Sequence, residues 1–159
     1  MRSFVFAVAL LAGMIASAHA APIRVVAAEN FYGDIARQIG GNTVTVTSIL
    51  RNPDQDPHLF EASPSVARAL AHASIAIASG ADYDPWMEKL MAATRHPGRV
   101  AIVVAHLVGR KPGDNPHIWY DPKTMPALAR RLAAILEAQD PAHAAADRQR
   151  LAAFEASMH

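Results

Sequence analysis

Residues 23–50 read IRVVAAENFYGDIARQIGGNTVTVTSIL and contain a strand, a helix and a second strand in succession. The runs 23–28 and 44–50 are apolar or β-branched and have the length of strands. Between them, residues 31–39 place apolar side chains at helical spacing and stop at Gly40-Gly41, which is a C-terminal helix signal. This stretch predicts a strand–helix–strand unit of the kind that builds parallel sheets.

The same alternation continues along the chain. Residues 74–78 and 100–104 are two further apolar runs of strand length. Four pairs join a capping side chain to a proline at the first helical position, where a missing N–H costs nothing. These pairs are Ser63-Pro64, Asp84-Pro85, Asp121-Pro122 and Asp140-Pro141. The order β-α-β-α-β-α-β-α predicts an α/β fold with a four-stranded parallel sheet and flanking helices.

The first twenty residues have the pattern of a secretory signal peptide. Arg2 precedes an apolar stretch at 4–15, and Ala18-His19-Ala20 is a small-x-small cleavage site. The apolar stretch is shorter than the roughly 20 residues that a transmembrane helix needs. We therefore expect a protein that is exported to the periplasm after cleavage.

Charge and cysteine content exclude several classes of function. The chain has 15 basic and 14 acidic residues, and removal of Arg2 with the signal peptide would leave the two in balance. Such a neutral chain lacks the basic patch that nucleic acid binding requires. Because there is no cysteine, disulfides, thiolate metal sites and a lipid-modified cysteine at the cleavage point are excluded.

A short motif occurs twice. Residues 56–60 read Asp-Pro-His-Leu-Phe and residues 115–119 read Asn-Pro-His-Ile-Trp, each shortly before a predicted helix start. His58 follows the second predicted strand and His117 follows the fourth. Because strand-to-helix loops of a parallel sheet emerge at its carboxyl edge, where ligands bind, we expect both imidazoles at that edge.

Two imidazoles on proline-stiffened loops are suited to a divalent transition metal. Imidazole nitrogen is a preferred ligand of zinc and related metals. The proline before each histidine restricts the backbone on both sides of it. The sequence therefore predicts His58 and His117 as metal ligands, with Phe60 and Trp119 packing to anchor the two loops.

Other polar residues have less specific surroundings. Glu29 is expected at the same edge, where it could orient an imidazole or cap the first helix. Asp56 and Asp121 are interpreted as turn and cap residues. The histidines outside the repeated motif and after residue 20 have a different interpretation. His106 follows the fourth predicted strand and could lie near the same edge, but it is not assigned to the site because nothing repeats around it. The others are interpreted as packed or solvated; they are His72, His96, His143 and His159.

The stretches 52–64 (NPDQDPHLFEASP), 80–86 (GADYDPW) and 113–119 (GDNPHIW) together resemble the periplasmic zinc- or manganese-binding proteins of ABC importers. The resemblance implies a monomeric, non-catalytic protein of two lobes, joined by a long rigid helix, that delivers the ion to an inner-membrane permease. His58 and His117 match the two ligands of the amino-terminal lobe. The second lobe of such proteins supplies a third histidine or glutamate, and a fourth aspartate or water.

On this resemblance, residues 21–140 are the amino-terminal metal-binding lobe and 141–159 begin the linking helix. The sequence is expected to be a fragment or truncated product, so its two histidines would form half a site and bind metal weakly. The choice between zinc and manganese stays open. Residues 108–114 lack a histidine-rich insertion, and an added imidazole would favour zinc whereas an added carboxylate would favour manganese.

Two alternatives belong to other classes of protein. A zinc-dependent hydrolase could use the same histidines with Glu61 as general base. The sequence has no His-Glu-x-x-His helix, nucleophile elbow or glycine-rich phosphate loop in support of it. A surface protein involved in cell adhesion is the other alternative, which draws only on the historical association of the resembling family with adhesion.

Overall fold

A computed structural model describes residues 21–52 and 54–158. The predicted signal peptide and His159 lie outside these residues. The described part contains one sheet of four strands, and every neighbouring pair is parallel. The strands are β1 (Ile23–Glu29), β2 (Val44–Leu50), β3 (Ile75–Ala78) and β4 (Val100–Val103). The predicted fold class is confirmed.

Six α-helices are found in the described residues. They are α1 (Asn30–Gly40), α2 (Pro64–Ala71), α3 (Pro85–Ala93), α4 (Val104–Leu107), α5 (Thr124–Gln139) and α6 (Ala144–Ser157). Short 3-10 turns occur at Gly41–Thr43, Pro57–Leu59, Ile118–Tyr120 and Pro141–His143. Within this part of the chain, none of the helices combines the length and apolar character that crossing a bilayer requires.

The predicted helix starts are right in two places and wrong in two. Helices α2 and α3 begin at their prolines. In contrast, α5 begins at Thr124 because the Asp121 carboxylate accepts the N–H of Lys123 and forms a turn first. Similarly, Pro141 begins a 3-10 turn and α6 starts only at Ala144.

The sheet separates two hydrophobic clusters because successive side chains of a strand point to opposite faces. Val25 and Ile77 belong to the cluster under α1 and α5, which includes Tyr32, Leu128 and Leu132. Val26, Ala28, Ala76 and Ala78 lie in the other cluster, with Leu70 of α2 and Met87 of α3. Both faces are therefore covered, as is usual for a parallel sheet.

The strand order locates a crevice at one edge of the sheet. The order is β2-β1-β3-β4. The central pair is β1 and β3, with β2 on the outer side of β1 and β4 on the outer side of β3. In open α/β sheets, ligands bind at the carboxyl ends of the strands where the order reverses. Here that point lies between Glu29, the last residue of β1, and the loop 79–84 that follows β3.

Candidate metal centre

His58 and His117 occupy closely similar turns at the carboxyl edge. The backbone N–H of His58 donates to Oδ1 of Asp56 at 2.8 Å. The backbone N–H of His117 donates to Oδ1 of Asn115 at 3.0 Å. Both histidines are solvent-exposed and lie at or beside a 3-10 turn. The repeated motif therefore folds into a repeated turn in which the short polar residue holds the histidine backbone.

The two imidazoles flank one aromatic ring. The centroid of the Tyr83 ring lies 5.8 Å from that of His58 and 6.0 Å from that of His117, with the ring planes inclined at 75° and 63°. The structure thus brings together two histidines that are far apart in the sequence. Tyr83 was not selected from the sequence as a site residue, although it lies in the stretch 80–86 that carries part of the resemblance.

The His117 ring has a defined hydrogen-bond partner. Its Nδ1 lies 3.1 Å from Oδ1 of Asn115, and an amide oxygen can only accept. Nδ1 therefore carries the hydrogen, and Nε2 of the neutral ring keeps its lone pair. This is the form of imidazole that binds a divalent cation, and a partner on the other nitrogen fixes its orientation.

Aromatic side chains support both histidine loops. The Trp119 ring lies 5.2 Å from the His117 ring, 4.7 Å from Tyr83 and 5.1 Å from Phe31. Phe60 packs against Trp86 with 4.4 Å between centroids. Phe60 and Trp119 therefore pack as expected from the sequence and anchor the loops that carry the histidines.

The loop after β3 has an uncommon backbone. Gly80, Ala81 and Asp82 have φ values of 77°, 51° and 63°, a left-handed region that non-glycine residues rarely adopt. The buried carboxylate of Asp84 holds this loop, because it accepts the N–H of Ser79 at 2.7 Å and of Gly80 at 2.8 Å. Asp84 was expected to cap α3 with its side chain, and that prediction is wrong because the carboxylate is used here.

Glu29 is buried beneath this edge and differs from the sequence expectation. It is 2% exposed, and neither carboxylate oxygen has a hydrogen-bond partner. Burial, and then the charge of Asp84, raise the pKa of Glu29 to about 9, so the group is protonated at neutral pH. Glu29 occupies the N-cap position of α1, but its carboxylate bonds neither the first turn of that helix nor an imidazole. A side-chain cap and the orientation of an imidazole are therefore not its roles.

Burial also raises the pKa of Asp84 to about 6, although the N–H bonds from Gly80 and Ser79 oppose the shift. A cavity of about 370 Å³ lies at the same edge and is lined in part by Glu29, Tyr83 and Trp119. Among the described residues, no group of three or more histidine, aspartate or glutamate side chains is placed to hold a metal ion. In this part of the chain, His58 and His117 therefore have no third histidine, aspartate or glutamate beside them that could complete a metal site.

Comparison with known proteins identifies the class. Residues 25–159 match the family described as the periplasmic zinc-uptake complex component A, ZnuA. This match covers most of the sequence, and the chain therefore belongs to the ZnuA family.

Individual relatives cover part of the chain. A Thermotoga maritima protein, provisionally named as metal-binding, is 34% identical over 93 residues, which are 58% of this chain and 33% of that protein. The manganese-binding lipoprotein MntA of Bacillus subtilis is 29% identical over 105 residues, or 62% of this chain and 34% of MntA. The chain thus matches about a third of the length of these relatives.

Solved structures share the fold. The cadmium-bound periplasmic metal-binding protein of Candidatus Liberibacter asiaticus has a TM-score of 0.72 at 20% identity, covering 85% of this chain and 52% of that one. Zinc-bound AdcA of Streptococcus pneumoniae has a TM-score of 0.71 at 17% identity, covering 86% of this chain and 30% of AdcA.

Proposed function

We propose that this chain is one lobe of a periplasmic binding protein that captures zinc or manganese for an ABC importer, with His58 and His117 as ligands. The observation that carries the proposal is the position of both imidazoles against Tyr83 at the carboxyl edge. Membership of the ZnuA family supports the class of cargo. On this proposal the chain binds its ion without catalysis and hands it to an inner-membrane permease.

The chemistry of the pair suits a cargo that must be released. Two neutral imidazoles provide two nitrogen ligands and leave other coordination positions open, whereas a closed structural zinc site has four protein ligands. Exposed rings at the sheet edge are accessible to an incoming ion. A second lobe would supply the remaining ligands, and its carboxylate or imidazole would bias the site towards manganese or zinc.

The same proposal assigns the ends of the chain. Residues 1–20 act as a signal peptide that directs export to the periplasm, and residues 21–140 form the metal-binding lobe. Helix α6 is then the start of the linking helix. Its packing against α5 and α1 supports this assignment, because a rigid connection between lobes must be fixed to the first of them.

A zinc titration of a double variant tests the function. We expect His58→Ala with His117→Ala to weaken zinc binding more than about 100-fold, the upper end of what losing a partner that orients a ligand costs. The metal-induced rise in the thermal midpoint should disappear with it. The matched control is His96→Ala with His106→Ala, because both of these histidines are exposed and lie outside the motif. An unchanged midpoint shift in the first variant would refute the role of the pair.

The two alternatives receive no support from the comparisons, since the matched family is a zinc-uptake component. A zinc-dependent hydrolase would require turnover of an ester or a phosphate above the level of free zinc. A binding protein should show none in the same assay.

A further inference from the structure

We infer that Tyr83 is a positioning residue for the histidine pair, whose ring fixes the separation and tilt of both imidazoles before the ion arrives. This inference rests on the proposed function of His58 and His117. It adds a third residue that touches both rings and assigns it a role in affinity.

The contacts of Tyr83 are the first support. Its ring meets the two imidazoles at steep angles of 75° and 63°, so each histidine ring rests edge to face with it. The Trp119 ring lies 4.7 Å from the Tyr83 ring and also contacts the His117 ring, so these three rings pack against one another. Aromatic pairs favour such edge-to-face geometry, and the contacts restrict the rotamers of two otherwise exposed rings.

The backbone that presents Tyr83 is the second support. Three successive residues before it, Gly80 to Asp82, are left-handed, and two of them carry a Cβ. L-residues avoid this conformation, and it persists only where the surroundings impose it. The buried Asp84 carboxylate imposes it here through Ser79 and Gly80. Such backbone conformations cluster at active sites and ligand clamps.

A hydrogen bond ties this loop to the second histidine loop. The N–H of Gly113 donates to the carboxylate of Asp82 at 2.8 Å. Gly113 lies four residues before His117, and Asp82 immediately precedes Tyr83. The position of the Tyr83 ring is therefore coupled to the position of His117 by the backbone as well as by ring contact.

Core packing does not explain this position. Tyr83 is only partly buried, whereas Tyr32, which belongs to the hydrophobic cluster, is 0% exposed. The neighbours of Tyr83 include two exposed histidines, which contribute little to a core. Holding two ligands in the binding geometry lowers the entropy that is lost when the ion binds, and thus raises affinity.

The test compares zinc affinity by calorimetric titration of three variants of the chain. Tyr83→Leu removes the ring and should weaken zinc binding about tenfold, the lower end of the effect of losing a ligand-orienting partner. Tyr83→Phe keeps the ring and should restore the affinity of the unaltered chain. Tyr120→Leu is the matched control, because Tyr120 is an exposed aromatic at the same edge that contacts Trp119; its affinity should not change.

A second pair of measurements separates positioning from general stabilisation. In a chain that already carries His58→Ala, only His117 remains to be held, so Tyr83→Leu should cause a smaller further loss of zinc affinity than it does in the unaltered chain. An equal tenfold loss in that background would overturn the inference, since a merely structural effect would persist there. Thermal unfolding of each variant reports whether it folds.

The outcomes also separate the inference from the function on which it rests. If neither histidine substitution weakens zinc binding, the proposed function fails and the inference with it. If both do and Tyr83→Leu binds as tightly as the unaltered chain, the inference alone fails. Should Tyr83→Leu not fold, Asp82→Ala carries the test, because it removes the acceptor of the Gly113 bond; unchanged affinity would then overturn the inference.

Discussion

At the scale of single residues, Glu29 makes the stability of this protein depend on pH. Its pKa is raised from 4.5 to about 9 in the folded chain, mainly by burial. The folded state therefore holds this proton more tightly than the unfolded state. The resulting stabilisation is complete below about pH 4.5 and is lost as the pH rises towards about 9. Asp84 acts in the same direction between 3.8 and about 6.

We therefore expect Glu29→Gln to flatten this dependence. The amide of the glutamine stays neutral at every pH. The free energy of unfolding of Glu29→Gln should therefore fall less than that of the unaltered chain between about pH 5 and about pH 9. Urea unfolding at several pH values gives, for each protein, the slope of the free energy of unfolding against pH. Glu61→Gln is the control, because Glu61 is exposed. The stability of this variant should change with pH as that of the unaltered chain does. Equal slopes for Glu29→Gln and the unaltered chain would show that Glu29 is ionised at neutral pH.

The two histidines were predictable as neighbours, whereas Tyr83 and Glu29 were not assigned their observed environments. His58 and His117 repeat a local motif, and parallel topology brings such loops to one edge. Tyr83 reaches both rings through a left-handed turn that depends on Asp84, a contact that spacing along the chain does not reveal. Glu29 likewise lines a cavity with Tyr83 and Trp119, which lie far from it in the sequence. The role of His58 and His117 as metal ligands remains a prediction.

At the scale of elements, a Ser or Asp before proline predicts the start of α2 and α3 correctly but not that of α5 and α6. Ser63 caps α2 by accepting the N–H of Val66. Asp121 is also followed by a proline, Pro122, but its carboxylate accepts the N–H of Lys123 and forms a local turn instead of a helix cap. The buried hydroxyl of Thr124 then donates to the carbonyl of Ile118 at 2.7 Å and ties the start of α5 to the His117 loop.

Loss of that hydroxyl should destabilise the protein. Thr124→Val keeps the shape of the side chain and removes one buried hydrogen bond, while the Ile118 carbonyl keeps the bond from the N–H of Asp121. We expect a loss of about 1 kcal/mol in the free energy of unfolding, measured by urea denaturation. Thr47→Val is the control, since Thr47 is exposed on β2. A loss no larger than that of the control would mean that the bond contributes nothing net.

At the scale of the whole molecule, the sequence predicted the class of fold and the shared edge but left the strand order open. Alternating apolar runs and helix signals predict a parallel sheet covered on both faces. The order β2-β1-β3-β4 depends on which strands pair, and these contacts are long-range. It matters for function because it opens the crevice between β1 and β3, where Tyr83 presents its ring.

Helix α6 should behave as part of the same folding unit as the sheet. Phe154 is 6% exposed in the cluster under α1 and α5, and Arg150 donates to the carbonyl of Ile39 at the end of α1 at 2.6 Å. Phe154→Ala should therefore lower the free energy of unfolding by about 3 kcal/mol, because it leaves a cavity in a shared core. Met158→Ala, at a 46% exposed position of the same chain end, is the control and should cost little.

Urea unfolding followed by both circular dichroism and tryptophan fluorescence checks this prediction. Trp86 and Trp119 report on the sheet edge, whereas circular dichroism includes α6. A single transition that moves to lower urea in both signals is expected for Phe154→Ala. A loss of helical signal before any change in fluorescence would show that α6 unfolds independently, and a rigid linking helix fixed to this lobe would then be excluded.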